Sequence, residues 1–230
     1  MSFVKGSILS SILKPLEDIQ KKSLNGNNWE QYLKNLNSLI SMHEYLCEKH
    51  YEPFGVMWNE IVNDTIAVIF NALSGFYHTA IINLRSILEI ACSSFYYYDH
   101  LIEYHLYEKE GQIADTYVSR LINDYQFYTT KYIRGFYKDI DAIQKEVNSV
   151  SLFLKSLYSN LCDVVHGRYS TFTKRDELKI EYSIDELKRF EKQFNKVLGV
   201  IAVMFVLRFS EYSDDANIST LANTIGVVNI

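Results

Sequence analysis

The sequence predicts an all-α protein: an up-and-down helical bundle with extra N-terminal helices and a long C-terminal helix. Three observations predict it. Apolar residues recur at helical spacing along almost the whole chain of 230 residues. Glycine and proline number only 9 and 2, too few to punctuate the turns of a strand-rich fold. Hydrophobic residues make up 48% and charged residues 22%, the balance of a globular chain with a sizeable core.

The elements follow in order. A first helix is expected over residues 8–22, ended by "SLNGNN", whose Asn and Gly suit a helix end. A second, over 29–50, carries Leu33, Leu36, Leu39, Ile40 and Leu46 as its apolar stripe, and "YEPFG" ends it. A third covers 57–73. A fourth, over 76–98, places Ala80, Leu84, Ile87, Leu88, Ala91 and Phe95 at helical spacing and reads as buried. "LIEYHLYEKEG" and "IADTYVSRLINDYQFYTTKY" continue the helical pattern, and 139–165 supplies one helix or a pair. "RYSTFTKRDELKIEYS" breaks it, as a loop with a short extended piece at "LKIEY". The last long helix starts at Ser183, where "SIDE" has the capping-box form, and reaches about Tyr212. One domain results: residues 1–52 as a helical appendage, 53–212 as the bundle, and 213–230 as a loosely held tail.

Charge and composition exclude several classes. A net charge of −5 disfavours a surface coated for nonspecific nucleic-acid binding. Cys47, Cys92 and Cys162 sit among apolar helical neighbours without zinc spacing, which reads as reduced thiols in a cytosolic protein. The N-terminus lacks the basic start and cleavage site of a secretory signal. "VLGVIAVMFVL" is about half the roughly 20 residues a membrane span needs, so it is expected as a core helix. The expectation is a cytoplasmic protein with no membrane partner. A glycine-rich phosphate loop, a nucleophile elbow and an H-E-x-x-H motif are all missing, so no cofactor and no metal are expected.

Three stretches carry candidate chemistry. Arg85 and Glu89 lie four apart on the fourth helix, and His78 lies two turns earlier on nearly the same line. Such a pair is either a surface contact or a semi-buried one; the second needs a further partner or a ligand, because burying both charges is costly. An arginine there would present a planar fork to a phosphate.

The second stretch, "SNLCDVVHGRYSTFTKR", puts His166 on one helix face with Cys162 and Asp163. Gly167 and the cations Arg168, Lys174 and Arg175 follow it. Asp163 could orient the imidazole for general acid–base work. Equally, a histidine at a helix C-terminus favours the dipole and caps carbonyls.

The third stretch, "FYTTKYIRGFYK", interleaves Lys131, Arg134 and Lys138 with five aromatics. That composition suits base stacking, or a tyrosine-rich amphipathic helix with a solvated basic face, and the acidic chain favours the helix.

Together, "ALSGFYHTAIINLRSILEIACSSFYY" and "LYSNLCDVVHG" resemble a HEPN-type helical domain of the abortive-infection kind. That family often carries R-x-x-x-E on one inner helix and a histidine before glycine or proline at the end of a later one. Arg85 with Glu89, and His166 with Gly167, match over about residues 55 to 210. The resemblance implies a bundle that pairs as a homodimer and turns the later-helix histidines of two subunits toward one cleft. Many such proteins are metal-independent ribonucleases of toxin–antitoxin or phage-defence systems, which implies RNA and a cognate antitoxin or defence partner as candidates. By this likeness His166 would move a proton, Arg85 would hold the scissile phosphate, Glu89 would position Arg85 and Asn160 would add a hydrogen bond. His78, Arg168, Lys174 and Arg175 would bind substrate. Two departures stand against it: Ser159 occupies the motif arginine's place, and the tyrosine expected two residues after the histidine is Arg168. The alternative is therefore a non-catalytic interaction, sensing or immunity module, or a nucleotide binder using the basic loop.

Overall fold

A computed structural model describes residues 14–25, 29–110, 117–168, 180–210 and 215–230. Among them all regular structure is helical apart from one antiparallel bridge, Gln144–Val228. The helices are α1 Lys14–Asn25, α2 Trp29–Lys49, α3 Tyr51–Leu73, α4 Tyr77–Asp99, α5 Leu101–Glu110, α6 Val118–Tyr125, α7 Thr130–Ile133, α8 Ile140–Ile143, α9 Ser149–Val165, α10 Ile184–Arg208 and α11 Ala216–Asn223. The all-α expectation holds, as a helical bundle.

α4 forms the centre, packed against α3, α9 and α10. Its apolar residues cover more than one face, so Tyr77, Leu84, Ile87, Leu88, Cys92 and Phe95 are all buried. α10 divides into two halves. The stretch Val197 to Leu207 is buried on every side, whereas the half before it alternates buried Leu187, Phe190 and Phe194 with polar residues. No helix among the described residues is long and apolar enough to cross a membrane. Aromatic rings fill the end of the bundle: Phe54, Phe95, Tyr98 and Phe209 lie within contact of one another. Trp58 joins them and donates its Nε1 hydrogen to Ser94 Oγ at 3.0 Å, satisfying a buried indole.

The structure changes several expected elements. α2 buries Tyr32, Asn35, Leu39, Met42 and Leu46, and Leu33 faces solvent at 58% exposure, so the apolar stripe is rotated from the one that counting leucines suggests. The amide of Asn35 is tolerated inside because its Nδ2 donates to Asn195 Oδ1 at 2.8 Å. Within the stretch expected as an appendage, α2 shares the main core through Tyr32, Leu39, Met42 and Leu46. α3 begins at Tyr51 and not at 57. Glu52 takes extended dihedrals (φ −94°, ψ 127°), as the residue before a proline does, and the helix resumes through "PFG".

The pattern over 113–132 is broken where Gln126 and Tyr128 adopt positive φ, which turns Phe127 and Tyr128 into the core. The residues before 117 in that stretch, and the first two of "LKIEY", lie outside the described residues. Ile180, Glu181 and Tyr182 carry neither helix nor strand. α10 ends at Arg208, short of Tyr212.

The C-terminal segment is held, not loose. Asp215 Oδ1 accepts from the backbone N–H groups of Asn217 and Ile218 and starts α11, whose Ile218, Leu221 and Ala222 are buried against α10. A Cβ on Gly199 would come within 2.6 Å of Ile225 Cγ2, so glycine there lets the segment seat closely. Val227 and Asn229 then bond to the 143–145 backbone.

Candidate functional site: the α4–α9 polar cluster and the α9–α10 cleft

α4 and α9 cross so that Arg85, Glu89 and Tyr158 meet. Arg85 Nη2 donates to Glu89 Oε1 at 2.8 Å and to Tyr158 Oη at 3.2 Å, and Tyr158 donates its hydroxyl hydrogen to the same Glu89 oxygen at 2.7 Å. The arginine and glutamate side chains are 21% and 27% exposed, so the pair is semi-buried, and Tyr158 is the further partner that burial demands. The guanidinium carbon also lies 5.5 Å from the Tyr158 ring centroid. Burial first, then the Glu89 charge and hydrogen bond, push the Tyr158 phenol well above its ordinary range, against the opposing pull of Arg85, so it stays a donor. Arg85 Nε is buried and has no hydrogen-bond partner among the described residues.

The other candidates sit apart. α9 closes with two backbone bonds, Gly167 N–H to Val164 O at 3.1 Å and Arg168 N–H to Asp163 O at 3.1 Å, around Gly167 at φ +61°. This is the Schellman arrangement, and His166 is its cap residue. Its imidazole is exposed, two turns beyond Tyr158, and among the described residues it shares no hydrogen bond with Arg85, Glu89 or Asp163. Asp163 pairs instead with the exposed Arg168, Nε to Oδ1 at 2.9 Å. Ser159 is exposed. His78 is half-buried in the first turn of α4 and joins neither group. Lys174 and Arg175 lie outside the described residues.

Asn160 projects to a different neighbour. With Asp163 and Val164 of α9 and Ile81 of α4, it lines a cleft of about 390 Å³ whose far wall is α10, carrying Arg189, Lys192, Gln193 and Lys196. Reading the residues singly missed this basic wall. Its only signal is the spacing 189, 192, 196, which also suits a solvated helix face.

A second ionic cluster was likewise missed. Arg208 donates to Asp99 Oδ1 at 3.0 and 3.2 Å and lies over the rings of Tyr98 and Phe136 at 4.7 and 5.0 Å, while Tyr132 donates to Asp99 Oδ2 at 2.5 Å. It fastens the end of α4 to the end of α10 and absorbs Tyr132 and Phe136 of the aromatic stretch into packing. Arg134 of that stretch is held by Asp141.

Among the described residues no group of three or more His, Cys, Asp or Glu is placed to hold a metal ion. All three cysteines are free, with Cys92 buried and Cys47 and Cys162 half-buried. No family model matches the chain, and neither a curated protein nor a solved structure matches it.

Proposed function

We propose that the chain is a HEPN-like module of a bacterial defence or toxin–antitoxin system that acts by interaction or sensing, as a homodimer, without cleaving RNA. The observation that carries this reading is the mutual pairing within the semi-buried Arg85–Glu89–Tyr158 cluster. An arginine that receives a phosphate needs an accessible fork, and here Nη2 is spent on a carboxylate and a phenol across two helices while Nε is buried. The replacement of the motif arginine by Ser159 removes the other charge that would stabilise a pentavalent phosphate. Asp163, the carboxylate that would orient His166, is engaged by Arg168. Homodimer formation and the defence context rest on the resemblance alone.

A metal-independent endoribonuclease is the second reading, favoured by one observation: His166 is exposed at the end of α9 beside a cation, open to a substrate or to a second subunit. The two readings separate in one assay. Purified protein is incubated with structured and single-stranded RNA in EDTA, alongside His166→Ala, with sedimentation recording the oligomer. The proposal expects intact RNA from both proteins and equal folding of both. Cleavage by the wild type that disappears in a folded His166→Ala selects the nuclease.

A further inference from the structure

Of the 10 residues of α5 only Tyr104 is buried, yet Leu101, Ile102, Leu106 and Tyr107 are large apolar side chains left exposed. A helix on a core ordinarily turns such residues inward. The same helix carries Glu103, Glu108 and Glu110 against a single lysine, Lys109. On its Tyr104 side it lies beside the first residues of α3. Burial first, then Glu108, Glu52, Tyr51 and Tyr107, push the Tyr104 phenol above its ordinary range, so side chains of both helices gather around one hydroxyl.

Two of these tyrosines are exposed and held in place all the same. Tyr51 is 61% exposed, and its ring lies against Gly55, where a Cβ would collide with it. Tyr107 is 38% exposed and stacks on the buried Tyr97 at 5.3 Å, with the ring planes 20° apart. Tyr97 also meets Tyr104 at 6.0 Å and so forms a floor beneath both. An aromatic ring fixed before binding loses little entropy on binding, which suits it to anchor a partner. The carboxylates beside these rings keep their charge. Among the described residues Glu52 forms no ion pair, and Glu108 has only His105, at 3.9 Å.

Tyrosine rings edged by such carboxylates complement a guanidinium, which stacks on an aromatic face and donates to carboxylate oxygens in its own plane. We infer that the surface where α5 meets the start of α3 docks an arginine-bearing basic segment of another protein, with its guanidinium against Tyr51 and Tyr107 and held by Glu52 and Glu108. A second copy of this chain does not fit the same surface, because a two-fold contact would bring the carboxylates against themselves. An anionic lipid surface is repelled for the same reason. The inference names a class of partner for the interaction reading and rests on that reading for its biological use. The surface itself depends neither on the Arg85 cluster nor on RNA, so RNA cleavage would remove the reading and leave the surface, whereas failure of the peptide test removes the surface alone.

The test is fluorescence anisotropy of a fluorescein-labelled arginine–alanine peptide on the full chain, beside the same peptide with citrulline in place of arginine. The variants are Glu52→Gln/Glu108→Gln for the carboxylates and Tyr51→Ala for the ring. Glu17→Gln/Asp18→Asn is the control; it removes the same charge from exposed positions of α1, which packs at the far end of α3 through Ser23 and Leu73. Circular dichroism checks that each variant folds, and the carboxylate pair keeps the test decisive should Tyr51→Ala unfold. Binding of the arginine peptide is expected, with none of the citrulline peptide. The carboxylate variant should bind about fivefold or more weakly, and Tyr51→Ala about threefold more weakly, the scale of exposed ion pairs and of an exposed cation–π contact. The control should keep wild-type affinity. The inference is overturned by equal binding of the two peptides, by unchanged affinity in the carboxylate variant or in folded Tyr51→Ala, or by an equal loss in the control. A dimer in sedimentation that the carboxylate variant alone tightens would also overturn it, by assigning the surface to contact between copies.

Discussion

Arg85 and Glu89 are visible in the sequence because spacing of four on a helix puts two side chains on one face. Tyr158 is not, since it arrives from a helix 73 residues away, and only the packing of α4 on α9 brings its hydroxyl to both charges. The three groups differ in what their removal leaves behind. Arg85→Ala strands a semi-buried carboxylate, with water reaching it at 27% exposure, and should cost about 2 kcal/mol, below the 3–5 of a fully buried pair. Tyr158→Phe keeps the charges together and should cost about 1 kcal/mol, the worth of its hydrogen bonds. Urea unfolding of both variants measures the order. A loss under about 0.5 kcal/mol for Arg85→Ala would mean that the cluster behaves as a surface contact.

Helix ends show the same division at the next scale. The start of α10 was legible, because Ser183 and Glu186 spell a capping box, and Ser183 Oγ does accept from the Glu186 N–H at 3.3 Å. The start of α11 was also written, in Asp215 ahead of an apolar spacing at Ile218, Leu221 and Ala222, but small polar residues around it read as a loose tail. What holds it is tertiary: Gly199 and the 143–145 backbone, neither of which local composition reports. At the end of α9, "HG" signals a turn, and the positive φ of Gly167 makes the signal physical. A Cβ at that position meets left-handed strain, so Gly167→Ala should destabilise the protein by about 1 kcal/mol. The same change loosens the cap at His166 and Arg168, so faster amide exchange at Arg168 in hydrogen-exchange NMR should accompany it; unchanged exchange and stability would mean that the closing turn is not held by its backbone bonds.

Over the whole molecule, the all-α class was readable from periodicity and scarce glycine, whereas the cleft beside Asn160 was not, because it needs α4, α9 and α10 packed together. The excess of tyrosine, 18 residues, reads at sequence level as composition alone. In the fold it becomes a property of stability. Burial, the largest cause in each case, pushes the phenols of Tyr96, Tyr128, Tyr132 and Tyr158 well above their ordinary range, and it does the same to the thiol of Cys92. The sign follows from linkage. A folded pKa raised above the unfolded one means that the unfolded chain loses its proton first, so the stability from keeping these groups neutral is complete below the unfolded pKa and drains away as pH rises. The unfolded thiol titrates at about 8.5 and the unfolded phenol at about 10. Urea midpoints should therefore be level to about pH 8, decline gently above it, and fall steeply beyond about pH 10. Cys92→Ala should lower the midpoint throughout, through lost packing, yet make the gentle limb shallower, the remainder belonging to Cys47, whose thiol burial also pushes up, while leaving the steep one. A wild-type midpoint that stays level beyond pH 10 would show that these phenols ionise as easily inside the bundle as in the unfolded chain, and that the aromatic end of the core is open to water.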